Sequence, residues 1–296
     1  MAVERMTQRM MSQSAFRGMQ TSLDRLARVQ EQLSTGKLIN RPSDDPTGAV
    51  SSMRFRVSVA EQKQYARNAN DAVAWLNQID ATLSSMTDQV RRGRDLALRG
   101  ANEGSVGPQA REALAIEVDQ IRAGLLQTAN ATYLGRPVFG GITAGSQAYD
   151  QDGAYVGEPG AVMRTVGDGV KIRVDVEGPD VVGADGSNVF DDLQALADAL
   201  RGNDQDGIRA AADALAAHQG RITDVQSTIG ARTNRVEQAQ KAAADAEISL
   251  TASLSEIENT DLPKATVDLQ LQEVAYQAAL AATARVMQPS LLDFLR

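Results

Sequence analysis

The sequence contains no cysteine, one histidine and few aromatic residues, and each shortage excludes a class of protein. Without cysteine, its 296 residues can form neither disulfides nor thiolate metal sites, and no cysteine nucleophile is available. The single His218 excludes a metal site built from several histidines. Aromatic residues make up only 4% of the chain, which favours long helices packed side by side over one thick core.

Features of nucleic-acid-binding, membrane-spanning and signal-peptide-bearing proteins are also missing. The net charge of −8 argues against a general affinity for nucleic acid. No stretch approaches the roughly 18 apolar residues of a membrane span. The N-terminal residues lack the apolar core and small-residue cleavage site of a signal peptide. These features alone predict a soluble protein that binds neither nucleic acid nor membrane and stays, by default, in the cytoplasm.

Apolar residues recur at intervals of three and four along most of the chain, which is the pattern of helices that pack along one face. Gly36 ends the first of these segments in the usual C-terminal position. Asp261 and Pro263 suit the start of the last segment, and Pro289 ends it. The predicted helices span about 14–35, 47–99, 108–129, 189–204, 205–258 and 262–288.

Both ends of the chain carry apolar residues that have little of their own chain to cover them. Exposed apolar surface of this kind usually marks a site for a partner, although the ends could instead dock onto their own bundle. The candidate subunit-interface residues are Met10, Phe16, Met19, Leu23, Leu26 and Leu33 near the N-terminus, and Val267, Leu271, Val274, Leu291, Leu292, Phe294 and Leu295 near the C-terminus.

The middle of the chain changes its period from three and four to two. In "VKIRVDVE" (170–177), Val170, Ile172, Val174 and Val176 face one way and the charged residues between them face the other. Asp168-Gly169 offers a hairpin turn just before this strand. The segment therefore predicts a small β subdomain between two helical halves.

The predicted fold is mainly α with a small β insert. Its two chain ends form an elongated rod of long antiparallel helices or coiled coil, and a β-rich outer subdomain lies in the middle. Three domains follow: residues 1–40 plus 262–296 as a terminal helical assembly domain, residues 41–135 plus 189–261 as a helical rod domain, and residues 136–188 as the insert.

The stretch "INRPSDDPTGA" (39–49) holds the most obvious pair of acids. Two adjacent carboxylates could serve as a metal site or an acid/base pair, but nothing nearby adds a third ligand. The better interpretation is a turn and a helix start, because a residue before proline avoids helix and an acid suits a helix N-terminus. The residues predicted to form this turn and cap are Arg41, Pro42, Asp44, Asp45 and Pro46.

A second acidic segment, "YDQDGAY" (149–155), contains a fragment of a calcium-loop pattern. That pattern requires a glutamate six residues after the glycine, and this sequence has Pro159 there, so a β-turn is the better interpretation. No phosphate loop, dinucleotide fingerprint or nucleophile elbow is present. The sequence therefore predicts no catalytic, cofactor-binding or metal site and favours a structural protein over an enzyme.

Three segments resemble the bacterial flagellin family over nearly the whole helical portion. "SLDRLARVQEQLSTGKLINRPSDDPTGAV" is similar to the family's N-terminal signature. "EVDQIRAGLLQTANATYLGRPVFGG" is similar to the family's segment that connects the third helix to the central region. The closing "AYQAALAATARVMQPSLLDFLR" resembles the hook–filament junction members more than the filament subunits. The β insert matches only in composition and placement.

This resemblance implies a structural adaptor on which flagellin polymerises, in the extracellular bacterial flagellum and not in the cytoplasm. It implies secretion as an unfolded chain through the flagellar type III export channel, with an export chaperone, and terminal helices that order only on assembly. The implied partners are further copies of the chain in a ring, the hook-side junction protein (hook-associated protein 1) and flagellin. The alternatives are a short flagellin, a cytoplasmic coiled-coil scaffold and, last, a hydrolase that uses Asp44 or Asp45.

Overall fold

The computed structural model describes residues 2–102 and 107–287. These residues form long helices on either side of a short β region, which confirms the predicted fold class. The helices are α1 (Ala2–Thr35), α2 (Pro46–Asn102), α3 (Pro108–Ala129), α4 (Gly178–Val182), α5 (Val189–Gly202), α6 (Gln205–Glu258) and α7 (Leu262–Met287). The strands are β1 (Thr132–Tyr133), β2 (Arg136–Pro137), β3 (Met163–Gly167) and β4 (Val170–Arg173).

Proline and glycine mark most helix boundaries. Pro46 and Pro108 are the first residues of α2 and α3, where the missing N–H is not needed and the fixed φ suits the first turn. Gly36 follows α1 with φ of +69°, a left-handed conformation that glycine adopts without strain. Helices α3, α5, α6 and α7 begin at 108, 189, 205 and 262, as predicted.

The first helix begins earlier than predicted. It starts at Ala2, twelve residues before the predicted start at 14. Residues 2–13 contain good helix formers such as Ala, Glu, Arg, Met and Gln and neither glycine nor proline, so propensity extends the helix beyond the apolar stripe.

The described residues divide into two compact units, with both boundaries inside helices. The terminal unit comprises the described parts of residues 1–60 and 247–296, and the central unit comprises those of 61–246. These boundaries fall within α2 and α6, not at the predicted domain limits of 40 and 262. The division into three domains stays a prediction.

The central unit contains the hydrophobic core, which is built from α2, α3, α5, α6 and the β region. On α2, Leu76, Ile79, Leu83, Met86 and Val90 are fully buried along one face. Helix α3 packs against α5. None of the described helices has a segment long and apolar enough to cross a bilayer.

The β region is a pair of two-stranded antiparallel sheets, β1–β2 and β3–β4. The predicted Asp168-Gly169 turn joins β3 to β4, and Gly169 has φ of +66°. The predicted strand over 170–177 is wrong after Arg173, where β4 ends. Its predicted alternation also fails at both ends, because Val170 is 43% exposed and Asp175 is buried.

Specific polar contacts explain why Asp175 is buried. Its Oδ1 accepts a hydrogen bond of 2.6 Å from the backbone N–H of Val162, and its Oδ2 lies 2.9 Å from the Arg173 guanidinium. A buried carboxylate is tolerated when it is paired and hydrogen-bonded in this way. Arg173 precedes Asp175 by two residues, but Val162 lies thirteen residues away in the chain and outside this strand, so alternation along the strand does not predict the burial.

Candidate functional site: the terminal helices and their connector

The two chain ends pair with each other in the terminal unit, as predicted. Helix α1 packs along α7. A short antiparallel bridge between Lys37 and Asn259 joins the end of α1 to the start of α7, so the two helices run antiparallel. This arrangement determines which apolar residues the chain covers by itself.

The predicted apolar stripe of α1 divides into two sets. Met19, Leu26 and Leu33 are half-buried, and their spacing of seven residues is that of a face packed against a partner helix. Phe16 and Leu23, also seven residues apart, are 52% and 48% exposed. Met10 is exposed as well.

The predicted stripe of α7 stays exposed along its described length. Val267, Leu271 and Val274 are 57%, 61% and 65% exposed. The half-buried positions of the same helix are instead Asp268, Leu269, Gln272, Tyr276, Ala279 and Thr283. At about 100° per residue, the centre of this half-buried face lies about 145° around the helix axis from the centre of the three exposed residues. We call Val267, Leu271 and Val274 the α7 stripe.

Four candidate residues, Leu291, Leu292, Phe294 and Leu295, lie outside the described residues. The candidate site therefore rests on α1, α7 and the segment that connects α1 to α2.

The connector, residues 36–45, is bonded to the end of α6. The backbone N–H of Leu38 donates to the carbonyl of Glu258 at 2.6 Å, and that of Thr260 donates to Gly36 at 3.0 Å. The side-chain amide of Gln32 also donates to the Leu38 carbonyl at 3.1 Å. These bonds hold the end of α1 next to the start of α7.

Glu258 forms a buried ion cluster at this position. Its carboxylate lies 2.7 Å from the Arg56 guanidinium and 3.5 Å from the Lys37 ammonium. The hydrogen bond and charge of Arg56, helped by Lys37, hold the pKa of Glu258 below its ordinary value. The cluster joins α2, the connector and α6. Sequence reasoning missed it, because no periodic pattern indicates that these three charges meet.

Asp44 and Asp45 both bind backbone N–H groups. Asp44 Oδ2 accepts from Asn40 at 3.2 Å and from Arg41 at 2.8 Å, which closes the turn that contains Pro42. Asp45 Oδ1 accepts from Thr47 at 3.0 Å, which caps the N-terminus of α2. In the part of the chain that the structure describes, no three His, Asp or Glu side chains gather closely enough to hold a metal ion.

Replacing Asp45 with alanine should destabilise the terminal unit by about 0.5–2 kcal/mol, because the N–H of Thr47 loses its acceptor. Asp45→Asn keeps a capping oxygen and should cost much less. Chemical denaturation of both variants, combined with hydrogen exchange at Thr47, measures the difference. Equal stability of the alanine variant and the original chain would show that the cap contributes nothing.

Arg41 holds the connector against α1. Its guanidinium lies 3.2 Å from Glu31 Oε1, a pair that is largely exposed to solvent. An exposed pair of this kind contributes little stability.

A second exposed apolar stripe lies at the start of α2, and sequence reasoning missed it. Val50, Met53 and Val57 are 47%, 51% and 59% exposed. Their spacing of three and four is the usual signal for a helix face, but they precede the longer buried stripe of the same helix. We call these three residues the α2 stripe.

The geometry defines a mainly helical protein whose chain ends pair and present apolar side chains to solvent. Residues 6–144 match the bacterial flagellin N-terminal helical region, and residues 210–295 match the bacterial flagellin C-terminal helical region. The chain belongs to the bacterial flagellin family.

Individual relatives agree with this family. Flagellar hook-associated protein 3 of Escherichia coli (strain K12) is 29% identical over 195 residues, which cover 65% of this chain and 59% of that protein. The same protein of Salmonella typhimurium is 27% identical with the same coverage. Polar flagellin F of Vibrio parahaemolyticus is 33% identical over 121 residues, 41% of this chain and 32% of that protein. The chain thus spans about three fifths of the two hook-associated relatives.

Solved structures share the fold. Bacillus cereus FlgL superimposes with a TM-score of 0.61 at 22% identity, covering 68% of this chain and 99% of that one. Flagellar hook-associated protein 3 of Legionella pneumophila gives a TM-score of 0.62 at 15% identity, covering 69% and 98%. At these identities the likeness shows the fold.

Family membership decides between several of the sequence-based interpretations. The chain is a flagellar structural protein and part of the extracellular flagellum. The default cytoplasmic location is therefore wrong, and the extracellular flagellum that the resemblance implies is confirmed. The cytoplasmic scaffold and the hydrolase are set aside for the same reason.

Proposed function

We propose that this chain is the adaptor at the hook–filament junction and that it assembles through its apolar terminal helices. The observation that carries the assembly is the α7 stripe, three apolar side chains more than half-exposed on the side opposite α1. The relatives named hook-associated protein 3 support the junction as the place of assembly.

The physical driving force is the burial of these stripes between subunits. Burying a Val, Leu or Met side chain contributes about 1.5–3 kcal/mol. Ordering a terminal segment costs about 1–2 kcal/mol of backbone entropy per residue, so a single pair of ends is marginal. In a closed ring of copies every stripe is covered, so the summed burial makes assembly favourable.

The partners follow from this position in the flagellum. Copies of the chain contact one another around the ring, the hook-side junction protein (hook-associated protein 1) lies below, and flagellin polymerises above. The interface residues are the exposed members of the predicted set, and Leu291, Leu292, Phe294 and Leu295 extend it along the sequence.

The chain reaches this site by passing unfolded through the flagellar type III export channel, after release from an export chaperone. The absence of cysteine supports this route, because no disulfide can form before export and hold the chain folded.

A short flagellin is the second candidate function, and the likeness to polar flagellin F supports it. Immunogold labelling of an epitope-tagged chain on isolated flagella separates the two. The junction adaptor gives a narrow band of gold between hook and filament. Gold along the whole filament would overturn the adaptor and establish the filament subunit.

A further inference from the structure

We propose that Asp168 is a site of spontaneous covalent modification, at which the aspartyl residue converts to an isoaspartyl residue through a cyclic succinimide. Asp168 lies in the turn of the β3–β4 hairpin and is followed by Gly169. The reaction needs no enzyme, cofactor or oxidant. It is independent of the place that the chain takes in the flagellum.

The conversion is an isomerisation in two steps. The backbone nitrogen of Gly169 attacks the carboxyl carbon of the Asp168 side chain, a C–N bond forms, and the carboxyl hydroxyl leaves as water with the proton of the nitrogen. Water then adds to the original main-chain carbonyl and breaks its bond to the nitrogen, so the side-chain carbon stays in the main chain and the original carbonyl becomes a free carboxylate. Glycine favours ring closure, because it has no Cβ to obstruct the approach.

The sequence contains four Asp-Gly pairs and no Asn-Gly pair. They begin at Asp152, Asp168, Asp185 and Asp206. The two reacting residues are the same in all four pairs, so the folded structure determines which of them reacts fastest.

The pair at the β3–β4 turn is exposed and unrestrained. Asp168 and Gly169 are both exposed, and a Cβ built on Gly169 would meet no atom beyond its chain neighbours within 4 Å. In the part of the chain that the structure describes, the Asp168 carboxylate has neither a hydrogen-bond nor an ion-pair partner. The carboxylate can therefore turn toward the Gly169 nitrogen without losing a contact.

Specific contacts restrain the other three pairs. Gly153 is buried. The Asp185 carboxylate accepts a hydrogen bond of 3.1 Å from the backbone N–H of Tyr155. The N–H of Gly207 carries the nitrogen that would attack, and it donates to Asp204 Oδ1 at 3.0 Å. Ring closure at these pairs requires the fold to open locally first, which slows the reaction.

The modification changes the hairpin that contains it. It adds one methylene carbon to the main chain of a short turn, and the turn sets the register in which the two strands pair. In the original chain Arg164 lies opposite Ile172 and Thr165 opposite Lys171. We expect this pairing to weaken in isomerised chains, so the amide hydrogens of β4 should exchange faster with solvent.

Ageing of the purified chain tests the site. The folded chain and the same chain in concentrated urea are kept at neutral pH for several weeks and then digested, and isoaspartate in each Asp-Gly peptide is measured by enzymatic methylation and mass spectrometry. In the folded chain we expect about tenfold more isoaspartate at Asp168 than at each other pair, because the others must open first. In urea the four pairs should react within about twofold of one another, since their contacts are lost.

Two variants complete the test. Asp168→Ser removes the carboxyl carbon that the nitrogen attacks and should abolish the main isoaspartyl peptide. Asp185→Ser is the matched control and should leave that peptide unchanged. Equal amounts of isoaspartate at Asp168 and at any other pair of the folded chain would overturn the assignment, as would the absence of isoaspartate at Asp168.

Discussion

A chain with Leu271→Asp and Val274→Asp should fold and be exported, yet fail to join the flagellum. Both residues are more than 60% exposed, so the substitutions remove little buried surface within the chain. Surface changes of this kind usually alter stability by less than about 0.5 kcal/mol. The effect appears only on assembly, where two apolar groups worth about 1.5–3 kcal/mol each are replaced by carboxylates that must lose water.

The loss of assembly free energy recurs at every subunit contact of a ring, because every copy carries the substitutions. We expect incorporation into the flagellum to fall by more than a hundredfold, with the variant chain accumulating in the medium. Immunoblots of isolated flagella and of culture medium measure both quantities. Circular dichroism of the purified chain and its unfolding midpoint should match the original chain.

The matched control adds the same charge to the same helix without touching the stripe. Thr266→Asp with Gln277→Asp changes two exposed positions that lie about 90–110° from the stripe around the helix axis. This variant should assemble normally. Normal assembly of the Leu271→Asp and Val274→Asp chain would show that the α7 stripe is not an interface.

Replacing Glu258 with alanine should destabilise the terminal unit by about 1–3 kcal/mol. Removing one member of a buried ion pair can cost about 3–5 kcal/mol, but Arg56 and Lys37 are each about half-exposed and regain water when the carboxylate is lost. Glu256→Ala is the matched control, since Glu256 is an exposed residue two positions earlier on the same helix.

The Glu258 carboxylate also makes the stability of the terminal unit depend on pH. The folded-state pKa of Glu258 is lowered, so its contribution is fully present above the unfolded pKa, about 4.3. The contribution is lost as the pH falls through the lower, folded-state pKa. Denaturation series between pH 7 and pH 3 should show this loss in the original chain and a smaller loss in Glu258→Gln. Identical pH profiles would show that the cluster is not coupled to folding.

The helices were the most predictable part of the fold, because their signals are local. Pro108 and the apolar spacing of α6 specify a boundary and a face without knowledge of any other element. The N-terminal extension of α1 was missed because residues 2–13 become helical through propensity and not through a long apolar stripe. Alternation over 170–177 predicts Asp175 on the exposed face, and the hydrogen bond from Val162 that accompanies its burial comes from thirteen residues away, which is not a local signal.

The candidate site was predictable in composition but not in geometry. The sequence indicates that α1 carries an apolar stripe, yet periodicity cannot tell which members α7 covers. Leu23 and Leu26 follow the same repeat, and only the paired helices show that one is exposed and the other half-buried. The Glu258 cluster joins residues about 200 positions apart along the chain, so no local pattern could reveal it.

Deleting the gene in its own bacterium tests the junction adaptor most directly. Electron microscopy of the cell surface and immunoblots for flagellin in the medium are the two readouts, and the plasmid-borne gene is the control that should restore filaments. The adaptor predicts hooks without filaments and flagellin monomers released into the medium. Intact filaments and normal swimming after deletion would contradict it.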